Sequence, residues 1–145
     1  MTITLDRPPV SGAAISLLER ARQGLREALD EHEPSARYVA AHLAGLRAAA
    51  AVLAVRGRAD GPRSPRLRSV WEVLPRVAPE LTEWAAFFSA GAPIRAAVEA
   101  GRTSLIDSRT ADDLLRDAEM FVRVVTEILG LPWQPVLPPA LPSSG

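Results

Sequence analysis

Arg37 and His42 are the residues of this chain whose types and spacing best fit catalysis, because four residues separate an arginine from a histidine. A guanidinium can bind a phosphate, and an imidazole can act as the acid or base that cleaves RNA at its 2′-hydroxyl. On a regular helix these positions lie about 140° apart, so the side chains converge only if the helix is distorted or a second subunit contributes. His42 also borders an apolar stripe, which favours a hydrogen-bonded structural histidine over a catalytic one.

Four further residues are candidates for contact with nucleic acid or with a partner protein. Tyr38 and Arg47 lie close to the Arg37 and His42 pair in sequence and could assist it. Arg66 and Arg68 lie in a stretch, residues 57–69, that is rich in glycine, proline and arginine and therefore predicts a surface loop. These loop arginines either contact phosphate or are simply solvated, and the second interpretation is favoured.

The sequence lacks the residues that several other common kinds of active site require. The chain has no cysteine and two histidines, which excludes a thiolate nucleophile, an iron–sulfur cluster and a cysteine-based zinc site. It has no lysine, no glycine-rich phosphate loop and no nucleophile-elbow motif. The acids between residues 112 and 119 are better explained by a helix N-terminus, where they offset the macrodipole, than by a cation site. We therefore expect no metal and no cofactor.

Composition points to a soluble, cytoplasmic protein without a general affinity for nucleic acid. All seventeen basic residues are arginine, and seventeen acids bring the formal net charge to zero. A protein with no net charge lacks the broad positive electrostatic field of a general nucleic-acid binder. Residues 1–10 contain no apolar core of the length that a signal peptide requires, so we expect no export. The lack of cysteine gives no reason to expect an oxidising compartment, and the apolar run of residues 48–55 is too short to span a membrane.

Helical periodicity and its interruptions predict an all-α, up-and-down helical bundle of four to six helices. Predicted helices cover residues 13–31, 35–56, 70–77, 79–88 with a kinked or broken extension to 100, and 108–130. Ser11 and Ser69 are suited to cap the first and third of these, and Ser108 or Thr110 the last, with Asp112 and Asp113 in its first turn.

The same periodicity predicts which side chains form the core. The first helix presents Ile15, Leu18, Ala21, Leu25, Ala28 and Leu29 at helical spacing, and the second presents Val39, Leu43, Leu46, Ala50 and Leu53. Trp71, Trp84, Phe87, Phe88 and Phe121 are expected to be core residues rather than a base-stacking surface.

Three segments follow from these patterns. Residues 1–10 are expected to be a flexible N-terminal segment, residues 11–130 the folded domain, and residues 131–145 a proline-rich tail. The tail is either a docking peptide for a partner or an end whose Leu131 and Trp133 pack back on the bundle, and the second alternative is favoured.

Four runs of this sequence resemble the HEPN superfamily, and in particular a subfamily common in actinobacteria. The runs are RYVAAHLAGLRAAAAVL at 37–53, SVWEVL at 69–74, APELTEWAAFF at 78–88 and ADDLLRDAE at 111–119. The resemblance covers residues 13–130 and implies a HEPN-like helical bundle that commonly forms homodimers.

Two functions are compatible with this resemblance. Many HEPN domains are metal-independent endoribonucleases that use an arginine, four to six intervening residues and a histidine, near the start of a late helix. Others lack this pair and bind nucleotides, RNA or protein partners. Here the late helix contains no histidine, and the matching spacing, Arg37 to His42, lies in the second helix. We therefore expect a non-catalytic binding module, with a toxin-like endoribonuclease as the alternative.

Overall fold

The computed structural model describes residues 10–57 and 69–139, and within these ranges the chain forms five α-helices and no strand. The helices are α1 (Gly12–Asp30), α2 (Pro34–Arg56), α3 (Val70–Val77), α4 (Thr82–Glu99) and α5 (Ser108–Ile128). Two 3-10 turns, Pro79–Leu81 and Thr103–Leu105, precede α4 and α5. The predicted all-α bundle is therefore confirmed. The predictions for residues 1–9 and 140–145, and for Arg66 and Arg68, lie outside the described residues.

Local capping signals set several helix ends where the sequence placed them. The Ser11 hydroxyl accepts a hydrogen bond from the Ala14 amide at 3.1 Å, and the Ser69 hydroxyl accepts one from the Glu72 amide at 3.2 Å. Both bonds satisfy backbone donors that the first turn of a helix leaves unpaired. Gly130 follows α5 with a φ of 77°, the left-handed conformation that ends many helices.

The start of α5 was predicted incorrectly. Its N-cap is Asp107, whose carboxylate accepts from the Thr110 amide at 2.8 Å, rather than Ser108 or Thr110. The helix therefore begins earlier than a Thr110 cap requires, and Asp112 and Asp113 lie beyond its first turn. A carboxylate caps as well as a hydroxyl, so three consecutive candidates could not be ranked from sequence.

The expected kink or break near Gly91 and Pro93 does not divide α4, which runs continuously from Thr82 to Glu99. A proline inside a helix removes the hydrogen bond to the carbonyl four residues earlier, here that of Ser89. Both Ser89 and Pro93 are exposed, so water can solvate the carbonyl that loses its donor.

Helix α2 occupies the centre of the bundle and packs against α1, α3, α4 and α5. Its predicted stripe is only partly buried, and the buried positions are instead small residues together with Tyr38, His42 and Val52. A helix with neighbours on several sides needs small side chains where their backbones approach. Gly45 is the extreme case, because a Cβ there would lie 2.6 Å from the Phe88 ring. On α1, Ile15 and Leu29 are exposed rather than buried.

Aromatic rings fill the space between α2, α3, α4 and α5. Trp71, Phe88 and Phe121 are buried, with Trp71 and Phe88 stacked at 5.0 Å between ring centroids. Trp84 is half-buried beside Phe121. Four of the five predicted aromatic core residues are thus buried or half-buried, whereas Phe87 is 44% exposed.

Residues 131–139 lie against α1 and α5. The Glu119 carboxylate accepts hydrogen bonds from the amides of Val136 and Leu137, and the Leu137 side chain is buried. Arg22 lies over the Trp133 ring at 5.3 Å. This part of the tail therefore packs back on the bundle, as the favoured alternative expected.

Helix α2 is unusually apolar for a helix of this length. By length and mean hydropathy this helix could span a membrane, but half of its most apolar window is buried within the bundle. That is the pattern of a central helix in a helical bundle, whose apolar side chains face protein.

Candidate functional site

His42 lies on the face of α2 that meets α4, enclosed by aromatic rings. The ring stacks on Tyr38 and makes edge contacts with Trp71 and Phe88. Its side chain is only 1% exposed. An imidazole in these surroundings must satisfy both nitrogens with protein atoms.

Both nitrogens of His42 have such partners. Nε2 lies 2.8 Å from the Phe88 carbonyl oxygen, which can only accept, so Nε2 carries the proton and donates. Nδ1 is then the acceptor, and Arg95 Nη1 lies 3.3 Å from it. The neutral tautomer is thereby fixed by one contact with a backbone carbonyl and one with a cation.

The same surroundings lower the pKa of His42 from its ordinary value. Burial is the largest cause because it disfavours the charged ring, and the positive charge of Arg95 lowers the pKa further. The hydrogen bond to the Phe88 carbonyl and the charge of Glu99 act in the opposite direction without cancelling the shift. His42 is therefore held neutral at physiological pH.

Arg95, on α4, is the arginine whose side chain contacts His42, and the sequence analysis did not predict it. Its Nε lies 3.5 Å from a carboxylate oxygen of Glu99, one helical turn later. That Nε is buried and makes no well-aligned hydrogen bond among the described residues. Fifty-three positions separate Arg95 from His42, so no spacing motif could have joined them.

Arg37 does not contact His42 but binds groups on other parts of the bundle. Its Nη1 pairs with Asp112 on α5, and its Nε and Nη2 donate to the Glu31 carbonyl at 3.2 and 2.6 Å. That carbonyl belongs to the turn between α1 and α2. Arg37 therefore connects the end of α1 to the beginning of α5, while His42 faces α4.

Tyr38 and Arg47 also lie against neighbouring helices. The Tyr38 hydroxyl reaches α4 so closely that a Cβ at Gly91 would lie 2.9 Å from it, and burial raises the pKa of this phenol. Arg47 is half-buried and faces α1, where its Nη1 would lie 3.3 Å from a Cβ at Gly24. The structure brings Tyr38 to His42 but places Arg37 and Arg47 on other contacts.

Among the described residues, no group of three or more histidine, aspartate or glutamate side chains is placed to hold a metal ion. The acids of α5 are dispersed over separate contacts. Asp112 pairs with Arg37, and Glu119 accepts from the tail.

A protein-family model matches most of the chain. The model of the SAV_6107-like HEPN family matches residues 28–126, from the end of α1 to the last turns of α5. No curated protein and no solved structure matches the chain.

Proposed function

This chain belongs to the SAV_6107-like HEPN family, and we propose that it is a non-catalytic cytoplasmic binding module that works as a homodimer and binds a protein partner. The observation that carries the non-catalytic part is the enclosure of His42, which is 1% exposed with both ring nitrogens engaged.

Catalysis by the Arg37 and His42 pair would need both side chains at one phosphate. A general acid or base has to come within about 2.6–3.2 Å of the atom whose proton it moves. His42 Nε2 already donates to Phe88, and Arg37 is held by Asp112 and the Glu31 carbonyl. These contacts support a structural role for each residue.

The homodimer is supported by the exposed face of α4. Ala86, Ala90, Pro93 and Ile94 are all exposed there, and Ile94 is 40% exposed. Small residues between larger ones allow two helices to approach closely. In a twofold-symmetric dimer the same face serves both subunits, so α4 would pack against its own copy. Dimerisation is also what HEPN domains commonly do.

A protein partner is favoured over RNA or a nucleotide because of charge. The formal net charge is zero, and the exposed α4 face just described carries no arginine to contact phosphate. A gel-shift assay with single-stranded and hairpin RNA tests this choice. We expect no shift at moderate salt, whereas a salt-sensitive shift would replace the protein partner with RNA.

The catalytic alternative is tested by an RNA-cleavage assay without added metal. The purified protein is compared with Arg37→Ala and His42→Ala, and with Arg102→Ala and His32→Ala as matched controls at exposed positions. We expect no cleavage by any of the five proteins. Cleavage that is lost only in the first two variants, with helical content retained, would establish a ribonuclease and overturn the proposal.

The dimer is tested by light scattering. We expect a mass of two chains for the unmodified protein and of one chain for Ile94→Glu. Met120→Glu, at an exposed position on α5, is the matched control and should remain a dimer. A mass of one chain for the unmodified protein would remove the dimer without affecting the assignment as a binding module.

A further inference from the structure

A cavity of about 660 Å³ opens between the 3-10 turn Pro79–Leu81, the start of α4 and the middle of α5. Trp84 and Phe87 form part of its lining, with their rings perpendicular and 6.3 Å apart. Phe87 is 44% exposed, although its neighbour Phe88 is fully buried. The cavity therefore offers aromatic surface that the fold itself does not cover.

Three carboxylates line the same cavity. Glu80 and Glu83 come from the 3-10 turn and the first turn of α4, and Asp117 comes from α5. Glu80 already binds Arg56 at 2.8 Å. Among the described residues, neither Glu83 nor Asp117 has a cation within ion-pair distance. The described lining of the cavity consequently carries a net negative charge, which repels phosphate and attracts cations.

Asp117 is a lining carboxylate whose pKa is raised from its ordinary value. Partial burial raises its pKa, and the negative charge of Asp113 one turn earlier raises it further. A cation bound beside Asp117 would offset both effects by compensating lost hydration and screening the repulsion. The cavity is thus complementary in charge to a cation, and its aromatic rings are complementary to a flat one.

We propose that this cavity binds the guanidinium group of an arginine side chain presented by a partner protein. A guanidinium can stack on an aromatic ring while its edge donates two parallel hydrogen bonds to a carboxylate, and an ammonium ion cannot do both. The volume lies within the range of ordinary ligand sites, about 300–1,000 Å³, and leaves room for residues flanking the arginine. The inference rests on the proposed role as a binding module and names the chemistry that the module recognises.

Two contacts within the chain use the same chemistry. Arg22 lies over Trp133 at 5.3 Å while its Nη1 donates to the Gln134 carbonyl at 2.7 Å. Arg56 reaches Glu80, one of the carboxylates that line the cavity. An arginine of this chain therefore already contacts one of the lining carboxylates, and another stacks on an aromatic ring elsewhere in the fold.

The test is an NMR titration of the full chain with the peptide acetyl-Ser-Gly-Arg-Gly-Ser-amide. The same peptide with citrulline is the control, because citrulline keeps the shape of arginine and removes its charge. We expect the Trp84 indole N–H signal to shift with saturation, and the citrulline peptide to bind at least about ten-fold more weakly. Equal binding of the two peptides, or no shift at millimolar peptide, would overturn the inference.

Variants locate the site. Asp117→Asn and Glu83→Gln are each expected to weaken arginine-peptide binding about five- to ten-fold, because each removes a charge-assisted hydrogen bond. Asp30→Asn, which removes an equal charge from the exposed end of α1, should change binding less than about two-fold. Unchanged binding in both cavity variants would place the peptide elsewhere and reject the site.

The outcomes separate this inference from the proposed function. RNA cleavage by the unmodified protein would overturn the non-catalytic assignment whatever the peptide does. Absence of peptide binding together with absence of cleavage would reject only the arginine site.

Discussion

His42 Nε2 and the Phe88 carbonyl oxygen lie 2.8 Å apart, joining the centre of α2 to the middle of α4. The bond fixes the neutral tautomer and leaves Nδ1 to face the guanidinium of Arg95. Protonation of Nδ1 would replace an attraction with a repulsion between two cations. His42, whose spacing from Arg37 best fitted catalysis, thus makes one of the contacts that hold α2 against α4.

Stability is expected to fall as the solution is acidified. The folded-state pKa of His42 is lower than its unfolded value of about 6.5, so folding favours the neutral ring. This contribution is fully present above the unfolded pKa and is lost as the pH falls from there towards the folded pKa. Urea unfolding at pH 7.5, 6.5 and 5.5 should give a declining free energy of unfolding.

The histidine responsible can be identified by substitution. His42→Gln should reduce this decline, whereas His32→Gln, at an exposed position, should leave it intact. An unchanged decline in His42→Gln would assign the pH dependence to carboxylates. In NMR titration of the unmodified protein, the pKa of the His42 ring should lie below the ordinary value of about 6.5.

Gly45→Ala should destabilise the protein by about 1–3 kcal/mol, although alanine is the better helix former. The added Cβ would lie 2.6 Å from the Phe88 ring, which is fully buried and cannot move aside. Gly12→Ala is the matched control, since a Cβ there meets no atom within 4 Å. Thermal unfolding should show a lower midpoint for Gly45→Ala and an equal or higher one for Gly12→Ala. An equal midpoint in both would mean that α2 and α4 are not packed so closely.

Arg37→Ala should cost about 1–2 kcal/mol through the loss of charged hydrogen bonds to the Glu31 carbonyl. The ion pair with Asp112 adds little to this figure because that carboxylate is well exposed. Arg37→Lys should not restore stability, since an ammonium cannot make the same forked contact. Chemical unfolding compared with Arg102→Ala, an exposed arginine, provides the measurement. Full rescue by lysine would show that charge alone matters.

Leu137→Ala should destabilise the bundle by about 2–3 kcal/mol, because this tail side chain is only 4% exposed. Glu119→Gln should act in the same direction by weakening the bonds from the Val136 and Leu137 amides. Gln134→Ala, at an exposed tail position, is the control. If Leu137→Ala unfolds like the control, the tail is not part of the cooperative unit.

Short-range signals made the helices predictable from sequence. Ser11, Ser69 and Gly130 act on backbone groups within four positions of themselves, so their effect does not depend on the rest of the fold. Apolar positions of α5 likewise recur at helical spacing, and Leu114, Ala118, Phe121 and Val125 are all buried. Composition likewise determined that no thiolate, cysteine-bound metal or lysine chemistry is available to this chain.

The packing of the helices determined which contacts the candidate site residues make. Which face of α2 is buried depends on how many helices surround it, and that number is not encoded in its own periodicity. His42 meets Phe88 and Arg95 across 46 and 53 positions, distances at which no sequence pattern constrains contact. Phe87 is exposed beside the fully buried Phe88 because adjacent helix positions point 100° apart and only one faces the core. Residue types therefore limited the possible chemistry, and the arrangement of the helices determined which side chains are enclosed and which remain accessible to a partner.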